Sequence, residues 1–157
     1  MTKQLLLLAL QQGKDGLLRT FNAVPDDKLD WKPLDAGRSV LDLVGEAAQT
    51  PAMVHGIIDM QTQVPDSIGE MFGQMRAQRA GWSKADVMQH LETNHGALIA
   101  AIEGLSEEDL GRIVTMPMGG GMTMPLAAWM MMAYRTYISR FAQINYIQTL
   151  YGDTEMH

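Results

Sequence analysis

The chain has 157 residues, no cysteine and a formal net charge of −6 at pH 7. This length is enough to bury a hydrophobic core in one domain, and the lack of cysteine excludes thiolate nucleophiles, cysteine-ligated metals and disulfides. The acidic balance argues against nucleic acid as the main partner, and no apolar run approaches the roughly 20 residues of a membrane-spanning helix. We therefore expect one domain over residues 1–157, located in the cytoplasm, without nucleic-acid or membrane partners.

Helical spacing of apolar residues begins at the N-terminus. The first predicted helix runs from about Thr2, a candidate N-cap, to Ala23. Pro25 follows and is incompatible with a continuing helix. The next loop contains Trp31, which is expected to anchor that loop to the core.

The second predicted helix begins after Ser39, which is followed at the capping-box distance by Asp42. Because aspartate is shorter than the usual glutamate, we expect only a partial box. Pro51 lies within the helical pattern and leaves two alternatives. Either the helix is kinked there, or a new helix starts with Thr50 as its N-cap and Pro51 at its first position.

A mixed segment precedes the last helix. The weak pattern from Gln63 to Gly81 indicates a short helix or an irregular excursion, and a third long helix begins at Ser83 with an aspartate three residues later. Ser106 starts one more capped turn. The glycines at 119–121 indicate a small hairpin or a flexible flap.

The last predicted helix, from Pro125 to Tyr151, has apolar positions that recur for about seven turns, interrupted by Arg140. The stripe consists of Leu126, Met130, Ala133, Tyr137, Arg140, Ile144, Ile147 and Tyr151. A guanidinium at a core position requires a buried partner or a hydrated pocket. Four such helices, with long connections before the third and the fourth, predict an all-α four-helix bundle with long crossover loops.

Two stretches, 29–48 and 125–152, resemble the DinB/YfiT-like superfamily of four-helix bundles. The first contains Trp-Lys-Pro and then Ser-Val at a helix start, and resembles a family pattern whose helix carries a histidine seven residues after the serine. The second contains Arg-Phe-Ala-Gln and resembles the family's His-x-x-x-His-Arg-Gly-Gln. Members of this superfamily include metal-dependent transferases and isomerases that use low-molecular-weight thiols.

The resemblance implies a divalent metal held by three histidines, at positions that correspond here to Glu46, Thr136 and Arg140. None of the three is a histidine. A threonine hydroxyl is a poor ligand for zinc or nickel, and an arginine does not lose its proton to bind a metal. We therefore expect no metal and no cofactor at this site.

The same positions suggest an ion pair. Thr136 and Arg140 are four residues apart and project from one face of a helix. In the resembling fold this face meets the second helix at Glu46. We hypothesise that Arg140 pairs with Glu46 in a bidentate arrangement, with support from Thr136 or Gln143.

Tyr137 and His95 are further candidates for a binding site. Tyr137 lies three residues before Arg140 on the interrupted stripe, and His95 borders the apolar face of the third helix, where a structural histidine is the commoner alternative. Seven of the 14 methionines lie between Met116 and Met132. Such a cluster is typical of an adaptable ligand pocket, an interface or simple core packing.

Together these features favour a metal-free, non-catalytic member of the superfamily that binds a small molecule or a protein partner and forms a homodimer through helix faces. The expected binding residues are Glu46, Thr136, Arg140, Tyr137 and His95. The alternative is an enzyme, thiol-dependent or hydrolase-like, that uses Glu46 as a base and Arg140 as an anion clamp. A variant of this alternative holds a metal through Glu46 with His95.

Overall fold

Helices dominate the computed structural model of the chain, which describes residues 2–59, 68–117 and 121–157. In chain order the elements are α1 Lys3–Ala23, a 3₁₀ turn Asp26–Lys28, α2 Val40–Ile58, α3 Ile68–Gln78, α4 Lys84–Gly104, α5 Glu107–Gly111, β1 Ile113–Met116, β2 Met122–Pro125 and α6 Leu126–Leu150. The predicted all-α class is confirmed. No helix in these described ranges is long and apolar enough to cross a membrane.

Side-chain caps fix where the helices begin. Thr2, Ser39, Ser83 and Ser106 each accept a hydrogen bond from the backbone N–H three residues later, which satisfies a donor that the helix itself leaves open. Ser83 and Ser106 form complete capping boxes with the aspartates that follow them. The box at Ser39 is partial, as predicted, but the length of aspartate is the wrong reason, because the aspartates after Ser83 and Ser106 complete their boxes. The Asp42 carboxylate instead binds arginine side chains.

Pro51 lies inside α2, which continues without interruption from Val40 to Ile58. A new helix start at Thr50 is therefore wrong. The Thr50 hydroxyl donates to the Glu46 carbonyl at 2.9 Å and so does not act as an N-cap acceptor. Pro51 is itself buried, and α2 packs against both α4 and α6, so burial on two sides offsets the backbone hydrogen bond that proline removes.

The four long helices α1, α2, α4 and α6 surround one hydrophobic core. α2 packs against α4 and α6, and α1 packs against α6. Gly13 faces Tyr134, and the Thr20 hydroxyl donates to the Gln148 side chain at 2.9 Å. Residue numbers thus rise together along α1 and α6, and these two helices run parallel.

Two long connections join the helices of the bundle, as predicted. The first leads from α2 to α4 and contains α3, the short helix expected between Gln63 and Gly81, although residues 63–67 lie outside the described residues. The second leads from α4 to α6 through α5 and the antiparallel hairpin, in which Thr115 pairs with Thr123. The glycine turn at 119–121 lies partly outside the described residues. The Trp129 indole donates to the Val114 carbonyl at 3.1 Å and ties the hairpin to α6.

The apolar stripe of α6 faces the core as the spacing predicted. The buried members are Leu126, Met130, Ala133, Tyr137, Ile144 and Ile147. Arg140 is the exception, with a side chain that is 16% exposed. Tyr151 closes the stripe against Trp31, edge to face at 5.9 Å, which confirms Trp31 as a loop anchor.

Close packing between α1 and α6 depends on Gly13. A Cβ atom at Gly13 would lie 2.9 Å from a ring carbon of Tyr134 and 3.3 Å from one of Tyr137, whereas a Cβ at Gly96 in α4 would meet open space. Gly96→Ala is expected to raise the free energy of unfolding by up to about 1 kcal/mol through helix propensity. Gly13→Ala is expected to lower it by about 1 kcal/mol or more, because overpacking costs about 1–3 kcal/mol. Urea denaturation of both variants checks this, and equal shifts of the same sign would contradict the close approach.

Candidate functional site

One carboxylate lies between two guanidinium groups where α2 meets α6. Glu46 Oε1 accepts from Arg140 Nη2 at 2.5 Å, and Glu46 Oε2 lies 2.5 Å from Arg38 Nη1. The Glu46 side chain is 13% exposed, so the contacts are mostly withdrawn from water. The predicted ion pair between Arg140 and Glu46 is confirmed.

The support around this pair differs from the prediction in two respects. The pair is not bidentate, because the second oxygen of Glu46 binds Arg38. Gln143 does support Arg140, with its Oε1 accepting from Arg140 Nη1 at 2.8 Å. Thr136 does not, since its hydroxyl donates to the Met132 carbonyl of its own helix. Such back-bonding is the usual fate of a threonine in a helix interior.

A second carboxylate extends the cluster towards the C-terminal end of α3. Asp42 Oδ2 lies 2.5 Å from Arg38 Nε, and Asp42 Oδ1 accepts from Arg79 Nε at 2.8 Å. Arg79 also donates to the Gln49 side chain at 3.0 Å. Arginines and carboxylates therefore alternate from α6 across α2 to the segment that follows α3.

The arginines hold both carboxylates in the charged form. Burial alone would raise the pKa of Glu46, but the contacts with Arg140 and Arg38 outweigh it and lower that pKa below 4.5. Burial opposes ionisation of Asp42 likewise, and Arg38 and Arg79 lower its pKa below 3.8. Because both folded-state values are depressed, the associated stability is present above these reference values and is lost as the pH falls below them.

Beside the cluster lies a cleft of about 490 Å³. Its walls are formed by Arg38, Glu46, Gly69, Phe72, Gly73, Arg76, Arg79 and Arg140. Four guanidinium groups thus face one carboxylate, in a chain whose net charge is −6. The side chain of Arg76 is exposed and makes no hydrogen bond or ion pair within the described parts of the chain. The cleft therefore has excess positive charge.

Arg140 also has donor capacity that its contacts do not use. Its Nε atom is buried and has no hydrogen-bond partner among the residues that the structure describes. A buried donor without a partner is unfavourable by about 1–3 kcal/mol, more when the group is charged. An additional acceptor near this guanidinium would relieve that imbalance.

His95 and Tyr137 lie together in the core and do not line the cleft. His95 Nδ1 is 3.1 Å from the Tyr137 hydroxyl, and His95 Nε2 is 3.3 Å from Gln11 Oε1. Gln11 donates its amide N–H to Asp15, so its oxygen is left to accept and Nε2 of His95 carries the proton. The Tyr137 hydroxyl then donates to Nδ1, which leaves both rings fully satisfied inside the core.

Burial governs the protonation of both rings. Burial, reinforced by the Lys14 cation, lowers the pKa of His95 to about 4, although Glu92 and Asp15 act in the opposite direction. Burial also raises the pKa of Tyr137, so its hydroxyl stays protonated. The structure thus places His95 and Tyr137 in a neutral, internally bonded pair, apart from the cleft that Glu46 and Arg140 line.

The residues at the implied metal positions do not fit a metal. Arg140 offers only N–H donors, the Thr136 hydroxyl is bound to a backbone carbonyl, and Glu46 is engaged by two guanidinium groups. Within residues 2–59, 68–117 and 121–157, no group of three or more His, Asp or Glu side chains is placed to hold a metal ion. A divalent cation at Glu46 would have to displace one arginine while facing another.

The sequence matches the profile of a known family over residues 9–135. The chain belongs to the DinB superfamily. This confirms the family resemblance, and the matched residues include Glu46 but end before Thr136 and Arg140. No curated protein matched this DinB chain.

Among solved structures, this DinB chain is similar to the mycothiol-dependent maleylpyruvate isomerase, with a TM-score of 0.70 and 14% sequence identity. A histidine-to-alanine mutant of that enzyme gives the same values. The match covers 92% of this chain but 61% of the isomerase chain. At this identity the likeness shows the fold, and the chain spans about three fifths of the enzyme's length.

Arg38, Arg76 and Arg79 were not predicted as parts of the site, and Asp42 was predicted only as part of a helix cap. One signal was available, because Arg38, Asp42 and Glu46 are spaced by four residues and align on one face. The two arginines of the α3 region gave no such signal. Their position depends on the path of the crossover between α2 and α4.

Removing Glu46 is expected to destabilise the fold more than removing Arg140, because Glu46 serves two arginines and Arg140 serves one carboxylate. Glu46→Leu leaves two partly buried cations facing each other, which costs about 3–5 kcal/mol. Arg140→Met leaves Glu46 paired with Arg38 and should cost less. Arg135→Met, at an exposed position of the same helix, is expected to change stability by about 0.5 kcal/mol or less. Chemical denaturation measures all three, and equal effects of the first two would contradict the shared carboxylate.

The buried His95 is expected to make stability depend on pH between about 6.5 and 4. Because its folded-state pKa is lowered to about 4 from 6.5, its contribution is fully present above pH 6.5 and is lost as the pH falls towards 4. His95→Gln removes this titrating group, so the loss of stability over that range should be smaller in the variant. Thermal melts at pH 7, 6, 5 and 4 measure the difference. Parallel pH profiles for the two proteins would show that His95 is not buried in neutral form.

Proposed function

We propose that the protein binds a small organic anion in the arginine-lined cleft, without a metal ion and without catalysing a reaction. The observation that carries this proposal is the positive charge of the cleft, because four guanidinium groups line it while two carboxylates, Glu46 and Asp42, pair with three of them. Arginine forms bidentate contacts with carboxylate and phosphate groups, which makes such anions the natural ligands.

Arg76 is the arginine of the cleft that is available to bind an exchangeable ligand. Arg38, Arg79 and Arg140 each bind side chains of the protein, whereas Arg76 makes no such contact in the described ranges. Arg76 projects from α3 at the wall of the cleft and can close on an anion without breaking an existing ion pair. The paired arginines add a positive field, which is stronger in a partly enclosed site than in open solvent.

The alternative, an enzyme that uses Glu46 as a base, is less well supported. A general base is most effective when its pKa is near the working pH, but the arginines lower the pKa of Glu46 below 4.5. The likeness to an isomerase rests on the fold and on 14% identity. The predicted homodimer and the predicted protein partner stay predictions.

Anion binding is tested with malonate and inorganic phosphate, using untagged protein in the presence of EDTA at constant ionic strength. We expect at least one of these anions to raise the melting temperature, because a ligand that binds only the folded state stabilises it. Arg76→Gln should weaken binding about tenfold or more, since a lost charge-assisted contact costs about 1.5–3 kcal/mol.

Arg135→Gln is the matched control, because Arg135 is exposed on α6 and lies outside the cleft. It removes the same charge and should leave anion binding unchanged. Equal weakening by both variants would mean that only net charge matters, which would overturn the proposed site. Stoichiometric zinc or nickel in the purified protein would overturn the metal-free part of the proposal.

A further inference from the structure

A second cavity, of about 500 Å³, lies between the loop before α2 and the outer face of α6. Apart from Arg38, Gly37 and Gln143, its lining is apolar. Pro33 and Ala36 come from the loop, and Ala142, Tyr146 and Ile147 from α6. We call this cavity the apolar groove. Tyr146 is 66% exposed there, so apolar surface of its ring is in contact with water.

The apolar groove adjoins the cationic cleft. Arg38 lines both cavities. On the α6 side, Arg140 lines the cleft and Gln143 lines the groove, and these two side chains are joined by a hydrogen bond of 2.8 Å. Three residues therefore form the boundary between the positively charged cavity and the apolar one: Arg38, and Arg140 with its hydrogen-bond partner Gln143.

The cleft itself contains apolar surface. Phe72 lines it together with Arg38 and Arg76, and is 49% exposed. A small hydrophilic anion such as phosphate would leave both Phe72 and the groove in water. A ligand that combines a charged group with a hydrocarbon part would cover both kinds of surface.

We propose that the ligand is an amphiphilic carboxylate, whose headgroup lies in the cationic cleft and whose hydrocarbon chain lies in the apolar groove. This proposal rests on the proposed anion binding and names the class of anion. Arg76 and the paired arginines hold the carboxylate, and the chain passes Arg38 to reach Ala142 and Tyr146. A ligand that lacks the charged group leaves the cationic cleft without an anion, and one that lacks the hydrocarbon chain leaves the apolar groove in water.

The experiment measures dissociation constants for acetate, butyrate, hexanoate and octanoate by calorimetry, at concentrations below micelle formation. We expect affinity to rise about two- to fourfold per added methylene, since a fully buried methylene contributes about 0.8 kcal/mol. Octanol, which has the same chain without the charge, should bind at least tenfold more weakly than octanoate.

Two variants test whether the hydrocarbon chain of the ligand lies in the apolar groove. Ala142→Gln places a longer side chain in the groove and is expected to reduce the affinity gain between acetate and octanoate at least fivefold. Ser139→Gln is the control, because Ser139 is exposed on the same helix and lies outside both cavities. It should leave the gain unchanged. Circular dichroism confirms that both variants are folded before binding is compared.

The outcomes separate this proposal from the one on which it rests. If acetate and octanoate bind equally, or if malonate binds while no alkyl carboxylate gains affinity with length, the amphiphilic ligand is wrong and anion binding stands. If octanol binds as well as octanoate, the chain binds without the cationic cleft and the amphiphilic ligand is again wrong. If no anion binds at all, both proposals fail.

Discussion

The carboxylate of Glu46, shared between Arg38 and Arg140, is the constraint on which the rest of the site depends. One negative charge links the segment before α2 to the middle of α6, and Asp42 continues the chain of charges to Arg79. Partly buried ion pairs add little net stability, because desolvation offsets much of their attraction. These ion pairs instead favour one packing of the segments over others, since an alternative packing would leave charges buried without partners.

This arrangement leaves a surplus of cations. The carboxylates of Asp42 and Glu46 form ion pairs with Arg38, Arg79 and Arg140. Arg76 adds a further positive charge at the wall of the cleft. An acidic chain with a net charge of −6 therefore has one concentrated positive region. Field lines are focused in a cleft with walls of low dielectric constant, so this region attracts anions although the protein as a whole repels them.

Local patterns in the sequence predicted most of the bundle. The caps at Thr2, Ser83 and Ser106 and the apolar stripe of α6 depend on neighbours three or four residues away, and such neighbours can be read directly. The pairing of Arg140 with Glu46 required the family resemblance, because no local pattern joins residues of different helices.

Other features could not be read from the sequence. At Pro51 the sequence did not distinguish a continuous helix from a new helix start at Thr50. Burial against α4 and α6 favours the continuous helix, and this is a tertiary effect that the local sequence does not show. The pairing of His95 with Tyr137 and Gln11 joins three helices, so spacing within any one helix does not reveal it. His95 and Tyr137 were expected to contribute to binding, but they satisfy each other in the core.

A guanidinium group and a metal ion differ in the chemistry that each can supply to a binding site. A metal ion accepts lone pairs and can lower the pKa of a bound water, whereas a guanidinium donates hydrogen bonds and does not activate water in this way. Among the described residues, Glu46 is the carboxylate that lines the cleft, and Arg140 and Arg38 hold it in its ionised, weakly basic form. Such a site is suited to recognition of a negative charge, and the apolar groove beyond Arg38 gives that recognition a second, hydrophobic part.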